Sequence, residues 1–317
     1  MKKFLLVTFL FGMAVVALSA TVFGSPYATD LISYSSTLTG SSLYNDPNAV
    51  IGAPATDFKN TWGSAATAHV KLVEPAYNVG LDGSKLITTL NNGQYIVAGF
   101  DHQVMNDPNN PFGLDFLVFG NAFYTGSGSV SDASNMSTYM LSGGSSFNGA
   151  GFFENVVVSV SQGPAYEGQD QSQWTWYAYS NGPYGDNAYP THAYEWDQAQ
   201  YDATGNGWTT NLMDFTKPVD PDVFGALLGQ TGVSAADAIE AYQGSGGGTG
   251  FDLDDLYLLY GVELDWIQYI KVEGISGYSG GEIDAFSDVA PVPIPGAIWL
   301  LGTGVMCLIG IRRRNNL

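Results

Sequence analysis

Apolar and polar positions along this chain form short runs, separated by clusters of Gly, Asn, Asp, Ser and Pro. Such a pattern predicts many brief strands joined by turns. KLITTL (residues 85–90) and QYIVAGF (94–100) flank Asn91, Asn92 and Gly93 and read as a tight hairpin. GLDFLVFGNAF (113–123) is short, almost continuously apolar and bounded by turn residues, which predicts a central buried strand. FFENVVVSVS (152–161) is rich in β-branched residues. QWTWYAYS (173–180) alternates, with Trp174, Trp176 and Ala178 on one face and Thr175, Tyr177 and Tyr179 on the other. In WIQYIKVE (266–273), Trp266, Gln268, Ile270 and Val272 form the parity expected to be buried. FDLDDLYLL and GGEIDAFSDV complete the expected strands.

Helical signals are brief. VFGALLG (223–229) is one, and SAADAIEAY (234–242) is stronger, with Ser234 as N-cap and Asp237 as the capping-box acid. Residues 182–216 have little periodicity and are long for a plain loop, so they read as a surface excursion or binding rim holding one or two short strands. No fixed-period repeat and no strand-helix alternation is present. The expected fold is mainly β, an antiparallel β-sandwich with short helical insertions. It forms one domain over residues 25–290 with a decorated middle region at 182–248, flanked by an N-terminal signal helix and a C-terminal transmembrane helix.

Both ends carry their own signals. Residues 1–24, MKKFLLVTFLFGMAVVALSATVFG, have a basic start, an apolar centre and small residues at the end, the parts of a secretory signal peptide. Signal peptidase is the expected partner, cutting after Gly24 or, as the alternative, after Ala20. Residues 297–311 form an uncharged run shorter than the roughly 20 residues that a spanning helix needs. Arg312, Arg313 and Arg314 follow, which suits a transient span with its arginines held inside. The sole cysteine, Cys307, lies in this run, so the body has neither a disulfide nor thiol chemistry.

Charge sharpens the picture of the body. The formal net charge is −20, and between the termini five lysines face all 30 acidic residues, a balance of −25. A surface of that sign excludes nucleic acid, which is bound by clustered Lys and Arg. Excess carboxylate suits Ca²⁺ as a structural cofactor. The candidate ligands are Asp252 and Asp254, two apart on a strand end and therefore on one face, joined by Asp255 if the chain bends there. Glu282 and Asp284 share a face in GGEIDAFSDV, and Asp46 lies in an early turn. The bland alternative for Asp252 and Asp254 is a solvated strand edge whose charges discourage edge pairing, and for the others a turn residue bonding its own backbone.

Catalytic signals are weak. His69, His102 and His192 have no zinc-site spacing, and neither HExxH nor GxSxG occurs. Asp101 beside His102 is not expected to form a dyad, because adjacent strand residues point apart. Glu154, Glu167 and Glu195 are available for glycoside cleavage, yet nothing selects a pair. The aromatic concentration from Trp174 to Trp208 reads equally as a sugar-stacking surface or as core.

Val292, Pro293, Ile294 and Pro295, then the apolar run, then the three arginines, resemble the PEP-CTERM sorting signal of Gram-negative bacteria, closest to its VPLPA-like variety. Ile294 stands where the name-giving form has Glu and the closer variety Leu. The resemblance implies processing by an exosortase-type membrane enzyme, export across the inner membrane, transient anchoring through the tail, and display at the cell surface or in extracellular matrix. YNDPNAVIGAP, NDPNNPFGLDFLVFGNAF, WIQYIKVE and GGEIDAFSDV are similar to pieces of a cell-surface family that often carries this tail. Asn48, Ala49 and Val50 with Trp62, and Tyr269 to Val272 ahead of Glu282 and Ile283, resemble discoidin-like galactose-binding domains, which implies a jelly-roll form of the sandwich. The expected function is a non-enzymatic surface or matrix protein that binds exopolysaccharide with structural calcium. The alternatives are an assembly protein without a small ligand and a glycan-active hydrolase.

Overall fold

The computed structural model describes residues 24–60, 67–276 and 280–289. In chain order its strands begin with β1 (Asp30–Tyr34), β2 (Asp57–Lys59), β3 (Thr67–His69), β4 (Thr88–Leu90), β5 (Tyr95–Met105) and β6 (Phe116–Gly120). β7 (Val156–Ser161), β8 (Tyr177–Ala178), β9 (Tyr194–Trp196), β10 (Trp208–Leu212), β11 (Thr249–Phe251), β12 (Trp266–Gly274) and β13 (Gly281–Asp288) follow. The α-helices are α1 (Gln198–Thr204), α2 (Pro221–Gly225), α3 (Ala235–Ala241) and α4 (Asp255–Tyr260).

One antiparallel sheet has the order β1-β5-β12-β7-β8, and a second has the order β11-β6-β13-β4. Ile96, Ala98 and Phe100 of β5, three valines of β7 and Ile270 and Val272 of β12 meet Phe116, Val118, Ile283 and Phe286 of the second sheet in one core cluster. The second sheet is covered on its other side as well. Leu117, Phe119 and Ala285 pack there with Phe58 and Ala68 of the β2–β3 hairpin. Burial on both faces explains why Phe116–Gly120 is apolar at every position instead of alternating.

The expected jelly-roll sandwich is corrected to a mixed α/β domain with several open sheets, none closed into a barrel. Besides the two larger sheets there are β2–β3, β9–β10 and two ladders of two residues per strand. Helices α2 and α3 gather their own core, in which Ala235, Ala238, Ile239 and Tyr242 of the α3 region join Phe147, Phe224 and Trp208.

The membrane elements are corrected too. Among the described residues no helix is long and apolar enough to cross a membrane. The longest α-helices among the described residues have 7 residues, spanning about 10 Å against a hydrocarbon core of about 30 Å. No described helix therefore supplies the expected transmembrane helix, the transient anchor or the location built on them. Residues 297–311, the motif Val292, Pro293, Ile294 and Pro295, Arg312 to Arg314, and residues 1–23 of the signal peptide lie outside the described residues.

Three local expectations also change. Residues 88–90 and 95–105 do not form a hairpin: β4 pairs with β13, whereas β5 pairs with β1 and β12. In β12 the register jumps between Ile267, opposite Val104, and Tyr269, opposite Gly99. That bulge in β5 puts Ile267 in the core beside Ile270 and Val272, so one side-chain parity does not hold along the strand. FDLDDLYLL is a strand only to Phe251, after which the chain turns and enters α4, closed by Gly261 in the left-handed region at φ 66°. The α3 cap is as read: Ser234 and Asp237 form a capping box.

Candidate functional site

The β2–β3 hairpin pairs Asp57 directly opposite His69 and Phe58 opposite Ala68. Because Phe58 and Ala68 point into the core, period-two alternation turns Asp57 and His69 outward together. His69 Nδ1 lies 2.7 Å from Asp57 Oδ1. Asp57 Oδ2 accepts from the Tyr194 hydroxyl at 2.7 Å and from Thr56 Oγ1 at 2.9 Å. Burial works to raise the Asp57 pKa, and the bonds from His69, Tyr194 and Thr56 outweigh it and hold the carboxyl below its ordinary range.

Asp132 closes the other side of the imidazole. Its carboxylate accepts from the His69 backbone N–H at 3.2 and 3.3 Å and from Lys71 Nζ at 2.6 Å. The remaining imidazole nitrogen, Nε2, is 4.0 Å from Asp132 Oδ2. Lys71 is wholly buried, donates to His69 O at 2.8 Å and pairs with Glu74 at 2.7 Å. A buried ammonium is tolerated only when it is paired and hydrogen-bonded, and here the Asp132 carboxylate and the His69 carbonyl accept from it while Glu74 adds a second opposite charge. Lys71 Nζ also lies 5.8 Å from the Trp208 ring centroid.

Aromatic rings wall the site. Tyr194 stands 4.5 Å from the His69 ring centroid and Trp208 5.9 Å, while Trp196 packs 4.8 Å from Trp208 and 5.3 Å from Tyr201. β9 and β10 supply Tyr194, Trp196 and Trp208, and α1, which carries Tyr201, joins the two strands, capped by Asp197 at its start and by Gly205 at its end. Gly207 lies under Trp196, where a Cβ would come within 2.6 Å of the indole. The Trp208 indole N–H donates to Asp132 O at 3.0 Å, tying the wall to the carboxylate loop. His69, Asp57 and Asp132 retain side-chain exposures of 25, 18 and 28%, so the polar centre is open to solvent.

The residues expected to bind metal do not form this site. Asp46 caps the turn of Pro47–Val50, accepting from the backbone and side-chain nitrogens of Asn48 at 3.0 Å. Asp252 accepts from Asp254 N at 2.8 Å, Asp254 accepts from Asn106 Nδ2 at 2.7 Å, and Asp255 sits in the first turn of α4. Glu282 accepts from Thr89 Oγ1 at 2.9 Å. Asp284 is buried and accepts from Ala55 N at 2.8 Å, and burial pushes its pKa up to about 8. Among the described residues no group of three or more His, Cys, Asp and Glu is placed to hold a metal ion.

The aromatic concentration divides in space. Trp174 and Trp176 stack on each other near Tyr269 and Lys271 of β12, whereas Trp196 and Trp208 belong to the His69 cleft. Asp101 and His102 are in contact after all, at 2.9 Å, and His102 Nε2 reaches Asp288 at 3.0 Å. Both residues lie in the bulged part of β5, where neighbouring side chains need not point apart. No motif marks Asp57 with His69. The available signal was the pair of apolar centres, Phe58 and Ala68, that align the two strands.

No protein-family model matches this chain, and no curated protein matches it.

Proposed function

We propose that this protein binds a neutral polysaccharide across the His69 cleft. The observation that carries the reading is the meeting of half-buried rings, Tyr194 and Trp196, with solvent-open acceptors on Asp57, His69 and Asp132. Sugars present C–H faces that lie on aromatic rings and hydroxyls that donate to carboxylates, and they need few precisely placed polar groups to fix their orientation. Anionic polymers are disfavoured by three carboxylates against the single buried Lys71, and by the overall charge of −20.

A glycan array followed by calorimetry tests the reading. Neutral glycans are expected to bind, with Tyr194→Ala and Trp196→Ala each weakening affinity about tenfold, as loss of a stacking ring worth roughly 1–1.5 kcal/mol requires. Binding that both variants retain in full places the ligand elsewhere, and no binding above background removes the reading.

A further inference from the structure

The His69 cleft holds more than a recognition surface needs. A carboxylate on Nδ1 places the ring proton there, so that the lone pair of the neutral imidazole is on Nε2. Nε2 has its nearest carboxylate oxygen, Asp132 Oδ2, at 4.0 Å, too far for a direct hydrogen bond. One oxygen atom at hydrogen-bonding distance from both fits that gap, and a water there donates one hydrogen to Nε2 and the other to Oδ2. Asp132 is not free to swing away, because Lys71 Nζ, the His69 N–H and the Trp208-bound main chain hold it.

We infer that His69, oriented by Asp57, is a general base that activates water to hydrolyse a small acyl ester on the bound sugar, an inference that rests on the polysaccharide reading for its substrate. In the forward step water gives a proton to Nε2 while its oxygen attacks the ester carbonyl carbon. As the tetrahedral adduct collapses, the bond between carbon and the sugar oxygen breaks, and the imidazolium returns its proton to the leaving alkoxide. The products are the carboxylic acid and the free sugar hydroxyl, and His69 is again neutral. Asp57 compensates the transient positive charge, and no other reactant is required.

The chemistry of the neighbours selects this bond. Cleavage of a glycosidic bond requires a protonated carboxyl to serve as acid, with its partner roughly 5–9.5 Å away. Asp57 is held ionised by its three donors and Asp132 is paired with Lys71, so neither delivers that proton. Phosphate esters would bring negative charge against Asp57, Asp132 and Glu74. An acyl ester is neutral, and its alkoxide leaving group is within the reach of an imidazolium acid.

The test uses the full chain with 4-nitrophenyl acetate, a soluble ester that needs no glycan binding, and with an acetylated neutral polysaccharide. Wild type is expected to hydrolyse both above the buffer rate, and His69→Gln to lose roughly 10²-fold, the usual contribution of a general base. Asp132→Asn, which conserves shape and removes the charged acceptor, is expected to lose roughly tenfold or more, and His102→Gln is expected to retain the full rate. Asp132→Asn also serves if His69→Gln fails to fold, which circular dichroism would reveal. Hydrolysis that is absent in wild type, or that both cleft variants leave unchanged, overturns the inference. Hydrolysis of the nitrophenyl ester that depends on His69, without any glycan binding, upholds the base and removes the polysaccharide reading alone.

Discussion

His192 offers a direct measure of how the cleft is built from below. Its imidazole is fully buried, accepts from Leu72 N–H through Nδ1 at 3.3 Å, and packs 5.9 Å from the Trp208 ring centroid. Burial, and next the Lys71 ammonium, push its pKa from the ordinary 6.5 down to about 3. The unfolded chain therefore takes up a proton below pH 6.5 that the folded chain refuses until about pH 3. The sign follows: this group's contribution is full above pH 6.5 and is lost as pH falls through that window. At about 1.4 kcal/mol per pH unit, the loss is about 2 kcal/mol at pH 5. Against a typical total of roughly 5–15 kcal/mol, that is a measurable share.

Replacing His192 by Gln keeps a hydrogen-bond acceptor and removes the titration. Urea unfolding followed by tryptophan fluorescence at pH 7 and pH 5 gives the two stabilities. Any packing cost of the substitution is the same at both pH values and cancels in the difference, as do the contributions of His102 and the buried acids. Wild type is expected to lose about 2 kcal/mol more than His192→Gln between pH 7 and 5. Equal losses, within about 0.5 kcal/mol, would refute a buried neutral imidazole beside Lys71.

Asp284 should show the opposite sign: its folded pKa is raised to about 8, so stability falls as pH rises towards that value, and Asp284→Asn should gain on wild type by about 2 kcal/mol between pH 6 and 8 in melting experiments. A gap independent of pH would show that Asp284 is ionised in the folded protein. Ser234→Ala removes the capping box of α3 and should cost about 1 kcal/mol in urea unfolding, with a cost near zero showing that the cap is replaced by solvent. Gly207→Ala drives a methyl into the Trp196 indole and should lower stability by roughly 1–3 kcal/mol while weakening glycan binding; unchanged behaviour in both assays would mean that the ring is not seated on this glycine.

Local chemistry was legible where neighbours in sequence decide it. Ser234 and Asp237 are three residues apart, so one turn of helix brings them together regardless of what else the chain does. The run around Phe116–Gly120 was readable as buried because apolar residues on both parities demand cover on both faces. The pairing of β4 and β5 was not, since Asn91, Asn92 and Gly93 supply turn chemistry without saying which strand each flank will meet. Gly274 takes Gly93 N–H on its carbonyl, and Glu282 lies opposite Thr89, contacts that come from residues far along the chain. FDLDDLYLL misled because its alternating start stops at Asp252, whose side chain accepts from Asp254 N and turns the backbone towards α4.

The sequence by itself determined the acidic character of the body, the buried central strand, the α3 cap and the abundance of short strands, because composition, period and capping act over a few residues. Only the tertiary structure decided that Asp57, His69, Asp132 and Tyr194 share one cleft and that Asp252 and Glu282 each spend oxygens on their own neighbours. Four residues spread from 57 to 194 meet through a hairpin whose alternation turns two of them outward and through a buried lysine that fixes a third. The bulge that brings Asp101 onto His102 is a property of pairing between two strands. Such meetings depend on which surfaces the folded chain buries together, and a linear pattern carries no record of that.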